Sequence, residues 1–206
     1  TGSTSRILVD ESFYASGACL LVRREAFESS GRFDDQIFLL QDDLDLCWRI
    51  RLQGYSVATC LSSVCYHCGG ISSKLTSSPF WRCHEYKNRI RVLFKNYNDS
   101  GLAKYLFIAI TLIGLESMYS ALRFLNPYFL LASLNAMLWN LKFLPANLKA
   151  RYLVQESRKV PDEMIKKFML GVPLLIAAFK SKLARRSYAC RASAVDVRSL
   201  CRGLMK

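Results

Sequence analysis

The sequence predicts an α/β domain over residues 1–100, followed by an α-helical, basic and hydrophobic extension over residues 101–206. Three observations carry that division. In the first hundred residues, short apolar runs bounded by turn residues alternate with stretches of helical spacing. Beyond Gly101, long charge-free stretches take over. The net charge of +13 is also unevenly placed: residues 1–100 hold 12 Lys and Arg against 11 Asp and Glu, leaving 17 basic and 5 acidic side chains for the rest. A near-neutral domain joined to a strongly basic, apolar half points to a polyanionic surface, either nucleic acid or an anionic lipid leaflet. With 51% hydrophobic residues the chain can bury a core and is no disordered tail.

Eight cysteines could make a disulfide framework. Most of them lie inside apolar runs, such as Cys19 in Gly17–Val22 and Cys47 beside Trp48, where a free thiol behaves as a small hydrophobe. The first residues, Thr1-Gly2-Ser3-Thr4-Ser5, have neither the basic nor the apolar region of a signal peptide. A reducing cytoplasm is therefore expected. The chain has no initiator Met, and Ile7-Leu8-Val9 reads like a strand entered mid-fold, so a C-terminal fragment of a longer protein is expected.

Taken in order, Ser16–Arg24 starts with small residues and becomes a continuous apolar run, the pattern of a buried strand. Arg24–Ser30 can form a short helix stopped by Gly31 at its C′ position. Phe33-Asp34-Asp35 is turn chemistry, and Ile37–Leu40 is a second short apolar run. From Asp42 the period changes: Leu44, Cys47, Trp48 and Leu52 fall on one helical face, and Gly54 ends the helix. Tyr55–Thr59 and Ser63–Tyr66 are β-rich. Gly69-Gly70 and the polar stretch to Ser78 read as a loop. Phe80–Tyr97 returns to helical spacing.

Past Gly101, Tyr105–Leu115 is free of charge but short, and Phe124–Leu141 is charge-free yet holds Pro127 and three Asn. Both fall short of the roughly 20 apolar residues that a membrane-crossing helix needs. The sequence predicts a helical hairpin lying in or dipping into a membrane interface, with Lys142, Lys149, Arg151, Arg158 and Lys159 set against lipid headgroups. An ordinary helical subdomain packed on the first domain is the competing reading.

Asp42, Asp43 and Asp45 place three carboxylates in the first turn of the predicted helix. Such acids complement the positive end of a helix dipole and need no further role. A carboxylate at a helix N-terminus that points into a cleft can equally serve as a general base. The residue types alone do not decide between these.

The order of motifs adds to this. Ser16-Gly17-Ala18 with Leu20, Leu21, Arg23 and Arg24 comes first, then Phe27, Gly31 and Phe33-Asp34-Asp35. Asp42-Asp43-x-Asp45-Leu46-Cys47-Trp48-Arg49 follows, then Gly54-Tyr55, and Tyr66-His67 before Gly69-Gly70. Tyr86-Lys87-Asn88-Arg89-x-Arg91 and Lys95-Asn96-Tyr97 complete the series. Over about 85 residues this resembles the inverting family 2 glycosyltransferases of GT-A type, particularly the bacterial rhamnosyltransferase-like members.

The resemblance implies the acceptor-side, C-terminal half of a GT-A fold, with the nucleotide-binding half and its Asp-x-Asp motif missing before Ala15. Asp43 would be the catalytic base, with Asp42 where Glu is more usual in the family. Ser16 and Gly17 would line the sugar cleft. Lys87 and Arg89 would sit near phosphate, unless they only solvate a helix face. His67 would help ligate a divalent cation, Mg2+ or Mn2+. Asp45 and Arg49 are read as a helix-holding ion pair and Trp48 as core. A zinc site is the alternative use of Cys65-x-x-Cys68 with Cys60, His67, Cys83 and His84, but no second C-x-x-C exists.

The implied activity is transfer of a sugar, rhamnose or another hexose, from a nucleotide-sugar donor to a hydroxyl of a glycan or lipid-linked acceptor, with inversion. That work would belong to cell-envelope polysaccharide synthesis at the cytoplasmic face of the membrane, by a peripheral or interfacial protein. A chain lacking the nucleotide-binding half would be inactive alone. The rival is a non-enzymatic basic protein that binds membrane or RNA. Against RNA, the C-terminal aromatics lie in apolar runs and do not alternate with Lys and Arg on a platform.

Overall fold

Among the described residues, β-structure is confined to one antiparallel pair, β1 (Val9–Glu11) and β2 (Ala58–Cys60), with Val9 opposite Cys60 and Glu11 opposite Ala58. The computed structural model describes residues 9–66 and 78–169. The rest of the architecture is mostly helical. α1 (Arg24–Ser29) and α2 (Asp42–Leu52) precede β2, and α3 (Pro79–Asn96), α4 (Asp99–Phe124), α5 (Tyr128–Lys142), α6 (Leu144–Glu156) and α7 (Asp162–Lys166) follow it. The α/β expectation holds in this coarse sense, with helices far outweighing the sheet.

Local chemistry sets most boundaries. Gly31 and Gly54 follow α1 and α2 with φ of +82° and +89°, where a side chain would be strained. Ser78 caps α3 by accepting from the Trp81 N–H, with Pro79 in the first turn. Asn98 caps α4 by accepting from the Gly101 N–H at 2.9 Å. That helix runs 26 residues, straight through Glu116. At about 1.5 Å per residue it is ~39 Å long, so the boundary that the sequence suggested at residue 115 is not one.

Three segments read as apolar or β-rich form no strand among the described residues. Gly17–Cys19 is a single 3₁₀ turn, and Leu20 and Arg23 are extended with no partner strand beside them. Leu21 is 99% exposed, the opposite of a buried strand residue. Ile37 is buried, but the run from it closes in a turn at Leu40 and Gln41, both left-handed with φ of +66°. Ser63–Tyr66 likewise pairs with nothing described.

The core forms around α2. Trp48 and Leu52 pack with Ile37, Val92, Tyr97 and Ile165, and Trp48 meets the rings of Phe13 and Tyr97 edge-on at 5.4 and 4.8 Å. On its other side Leu46, Cys47 and Ile50 pack with Val57. α3 is the central helix: Tyr86 and Ile90 pack with Ile113 of α4 and Ala136 of α5. The described helices α2 to α5 thus belong to one compact unit.

Between α2 and α3 runs a buried chain of alternating charge. Arg91 grips Asp34 with two hydrogen bonds of 2.9 Å, and Lys95 pairs with Asp34 and, at 2.9 Å, with Asp45. Asp45 in turn holds Arg49 at 2.7 Å and accepts from Asn96 at 2.9 Å. Burial by itself would raise the Asp34 pKa. The hydrogen bonds from Arg91 and the charge of Lys95 outweigh it and hold the carboxyl well below its ordinary 3.8. A depressed folded-state pKa adds stability above the unfolded value, and that stability is lost as pH falls toward the folded one. Asp34→Asn is accordingly expected to flatten the acid limb of stability below about pH 4. Urea midpoints measured from neutral pH down to the acid transition check this; parallel limbs in the two proteins would contradict it.

Candidate active site

The first turn of α2 brings together four of the predicted site residues, Ser16, Gly17, Asp42 and Asp43. Asp43 Oδ2 accepts a hydrogen bond from the Gly17 N–H at 2.9 Å, and Oδ1 accepts from the Leu44 N–H at 2.7 Å. A Cβ added to Gly17 would lie 3.4 Å from Asp43 Cβ and 3.6 Å from Oδ2, ordinary van der Waals contact, so the approach of this backbone to the carboxylate does not itself demand glycine. Ser16 caps the 3₁₀ turn that presents that N–H, accepting from the Ala18 N–H. Ser16 and Gly17 thus meet Asp43, which lies 26 residues beyond Gly17 in the chain.

Asp42 takes a different place. It lines an open cleft of about 520 Å³ with Gly17, Leu20, Val22, Phe27 and Phe33. Both Asp42 and Asp43 are half-buried, and Asp45 is fully buried in the ion chain. The three acids therefore have three roles: one faces the cleft, one is oriented by main-chain donors at its edge, and one anchors the helix. Asp45 and Arg49 form the expected ion pair, and Trp48 is the expected core residue, 3% exposed.

The backbone that delivers these acids is held in an unusual conformation. Leu40 and Gln41 are consecutive left-handed residues without being glycine, a state that costs about 1–3 kcal/mol each and persists where neighbours enforce it. The enforcing residue is Asn88 of α3, fully buried, whose Nδ2 donates to the carbonyls of Leu39 and Leu40. Lys87 reaches the same segment, donating to the Gln36 carbonyl at 3.3 Å, and Arg91 binds it at Asp34. α3 thus clamps residues 34–40 and, through them, sets the start of α2.

Lys87 and Arg89 are engaged away from the acids. Lys87 is 8% exposed, with Nζ 4.5 Å from the Trp139 ring, and burial lowers its pKa. Arg89 bridges Glu85 at 2.7 Å and Glu116 at 3.1 Å. His67 and Cys68 lie outside the described residues. Among the described residues, no three His, Cys, Asp or Glu side chains gather as a metal-ligand cluster, and Cys60, Cys65 and Cys83 are free thiols.

The positioning residues Asp34, Asn88, Lys95 and Asn96 were not singled out by sequence reasoning, although each lies within a motif of the series described above. Their residue types were visible; their partners, about fifty positions away, were not. No protein-family model, curated protein or solved structure matches the chain.

Proposed function

We propose that this chain is the acceptor-side catalytic part of an inverting family 2 glycosyltransferase of GT-A type, acting on a nucleotide-sugar donor and a glycan or lipid-linked acceptor. The observation that carries the reading is the meeting of Asp43 with Gly17 beside a cleft lined by Asp42. Two main-chain donors fix the Asp43 carboxylate, and each of its oxygens keeps a free lone pair for an incoming hydroxyl.

In the proposed reaction Asp43 takes the proton of the acceptor hydroxyl as its oxygen attacks the anomeric carbon. The bond from that carbon to the diphosphate oxygen breaks on the opposite face, and the nucleoside diphosphate leaves with the electron pair. One displacement inverts the configuration. A divalent cation bound to the diphosphate would neutralise the departing charge. His67 is the residue that the resemblance assigns to it, and the described part of the chain does not by itself build a cation site. The GT-A sheet, the nucleotide-binding half and a place in envelope polysaccharide synthesis belong to this proposal.

The test is a product assay on the full-length protein with a panel of nucleotide sugars, including deoxyhexose donors, and lipid-linked or oligosaccharide acceptors. Release of nucleoside diphosphate with a product of inverted anomeric configuration by NMR is expected. Retention of configuration, or no acceptor-dependent release with any donor in the presence of Mg2+ or Mn2+, would overturn the reading.

A further inference from the structure

The hairpin of α4 and α5 is packed with its side chains the wrong way round for water. The faces turned inward carry mostly small and polar residues: Ala109, Ser117 and Ser120 on α4, and Ala132, Ala136 and Asn140 on α5, all buried, with Ile113 and Phe129 as the large apolar side chains among them. The faces turned outward carry the large apolar ones: Phe107 is 72% exposed, Leu122 68%, Leu115 59% and Leu138 52%. In water, burial of large apolar side chains drives helices together, so Leu and Phe belong inside. Where the surroundings are hydrocarbon, that drive is absent; helices then associate through small residues and hydrogen-bonded polar ones. The inner side chains behave accordingly. Asn140 donates to the Lys87 carbonyl at 3.1 Å and to Ala136 at 2.9 Å, and Ser117 and Ser133 donate to carbonyls of their own helices.

Charge marks the limits of the apolar face. Between Lys104 and Arg123 the one charged residue of α4 is Glu116, which turns inward to Arg89 of α3. α5 has no charge from Tyr128 to Leu141 and ends on Lys142. Lys104, Arg123 and Lys142 are all exposed, so the frame of the face is cationic. The ionic residues of α3, with the Arg82–Glu85–Arg89–Glu116 ladder, stand on the opposite side.

We propose that the α4–α5 hairpin lays its outer face in the acyl region of an anionic bilayer, as a monotopic plate with α3 on its aqueous side. α4 is long and apolar enough to cross a membrane, with only 28% of its most apolar window buried. α5, at 15 residues or about 22 Å, is too short to return across the ~30 Å of hydrocarbon. Two helices of unequal length that share one continuous apolar face suit an in-plane position, and the basic frame suits anionic headgroups. This inference stands independently of the glycosyltransferase reading.

The experiment uses the full-length protein with phosphatidylcholine vesicles, with and without a quarter of phosphatidylglycerol, and a lipid-soluble diazirine photolabel mapped by peptide mass spectrometry. Label is expected in residues 105–122 and 128–141 and not in 82–96. Leu115→Gln with Leu122→Gln and Leu138→Gln should cut vesicle partition at least about a hundredfold. Lys104→Ser with Arg123→Ser and Lys142→Ser changes exposed residues only; it should weaken binding to the anionic vesicles and leave the neutral ones unaffected. Label spread evenly over α3, α4 and α5, or no label in the hairpin, would overturn the proposal. A lipid-free dimer whose hairpin stays unlabelled would do the same and assign the face to a second copy.

Discussion

Replacing Asp43 by Asn in the full-length protein is expected to lower turnover by a factor of about 10² or more, with donor affinity nearly unchanged. The amide keeps the size of the carboxylate, and its oxygen can still accept from the Gly17 N–H. What it loses is the capacity to take a proton from the acceptor. Asp42→Asn is the necessary comparison, because Asp42 is the acid that lines the cleft. A smaller loss, expressed more in the acceptor KM than in kcat, is expected there. An Asp43→Asn protein that retains most of its turnover removes Asp43 from the role of base. If Asp42→Asn then shows the hundredfold loss, the role passes to its neighbour.

Asp45→Ala is expected to destabilise the protein by about 3–5 kcal/mol, a large part of the stability of an ordinary domain. The carboxylate is fully buried, and its removal leaves Arg49 without its ion-pair partner and Lys95 with Asp34 alone. Most of that cost is the desolvation of cations left behind, not the worth of a contact. It follows that Lys95→Met added to Asp45→Ala should cost much less than the sum of the two single changes. Denaturant unfolding of the single and double variants measures this. Strict additivity, or a loss under about 1 kcal/mol for Asp45→Ala, would show that the chain of charges is not coupled.

The elements that the sequence made legible are those whose signals are local. α1 with Gly31, α2 with Gly54, and α3 behind Ser78 and Pro79 are each bounded by a cap or a stop within a few residues. The apolar runs at Ser16–Arg24 and Ile37–Leu40 misled because a strand is defined by its neighbour, and none is described beside either run. Glu116 misled for a similar reason: a lone acid ends an apolar run on paper, but Arg89 neutralises it in the folded chain. Within the site, Asp43 was legible from its motif and helix position. That its partner is the Gly17 N–H and that Asn88 holds the preceding turn required contacts spanning 26 and about fifty residues.

The chain of charges also sets an order of assembly. Asp34 precedes Arg91 by 57 residues, and Asp45 precedes Asn96 by 51. During synthesis at roughly 5–20 residues per second, both acids emerge seconds before these partners on α3. Until α3 is complete, Asp45 has Arg49 beside it but neither Lys95 nor Asn96, so burial at that stage would leave the carboxylate with part of its partners missing. The final seat of α2 therefore needs α3. A chain released before residue 96 carries all three first-turn acids of α2, yet lacks what would fix them in place.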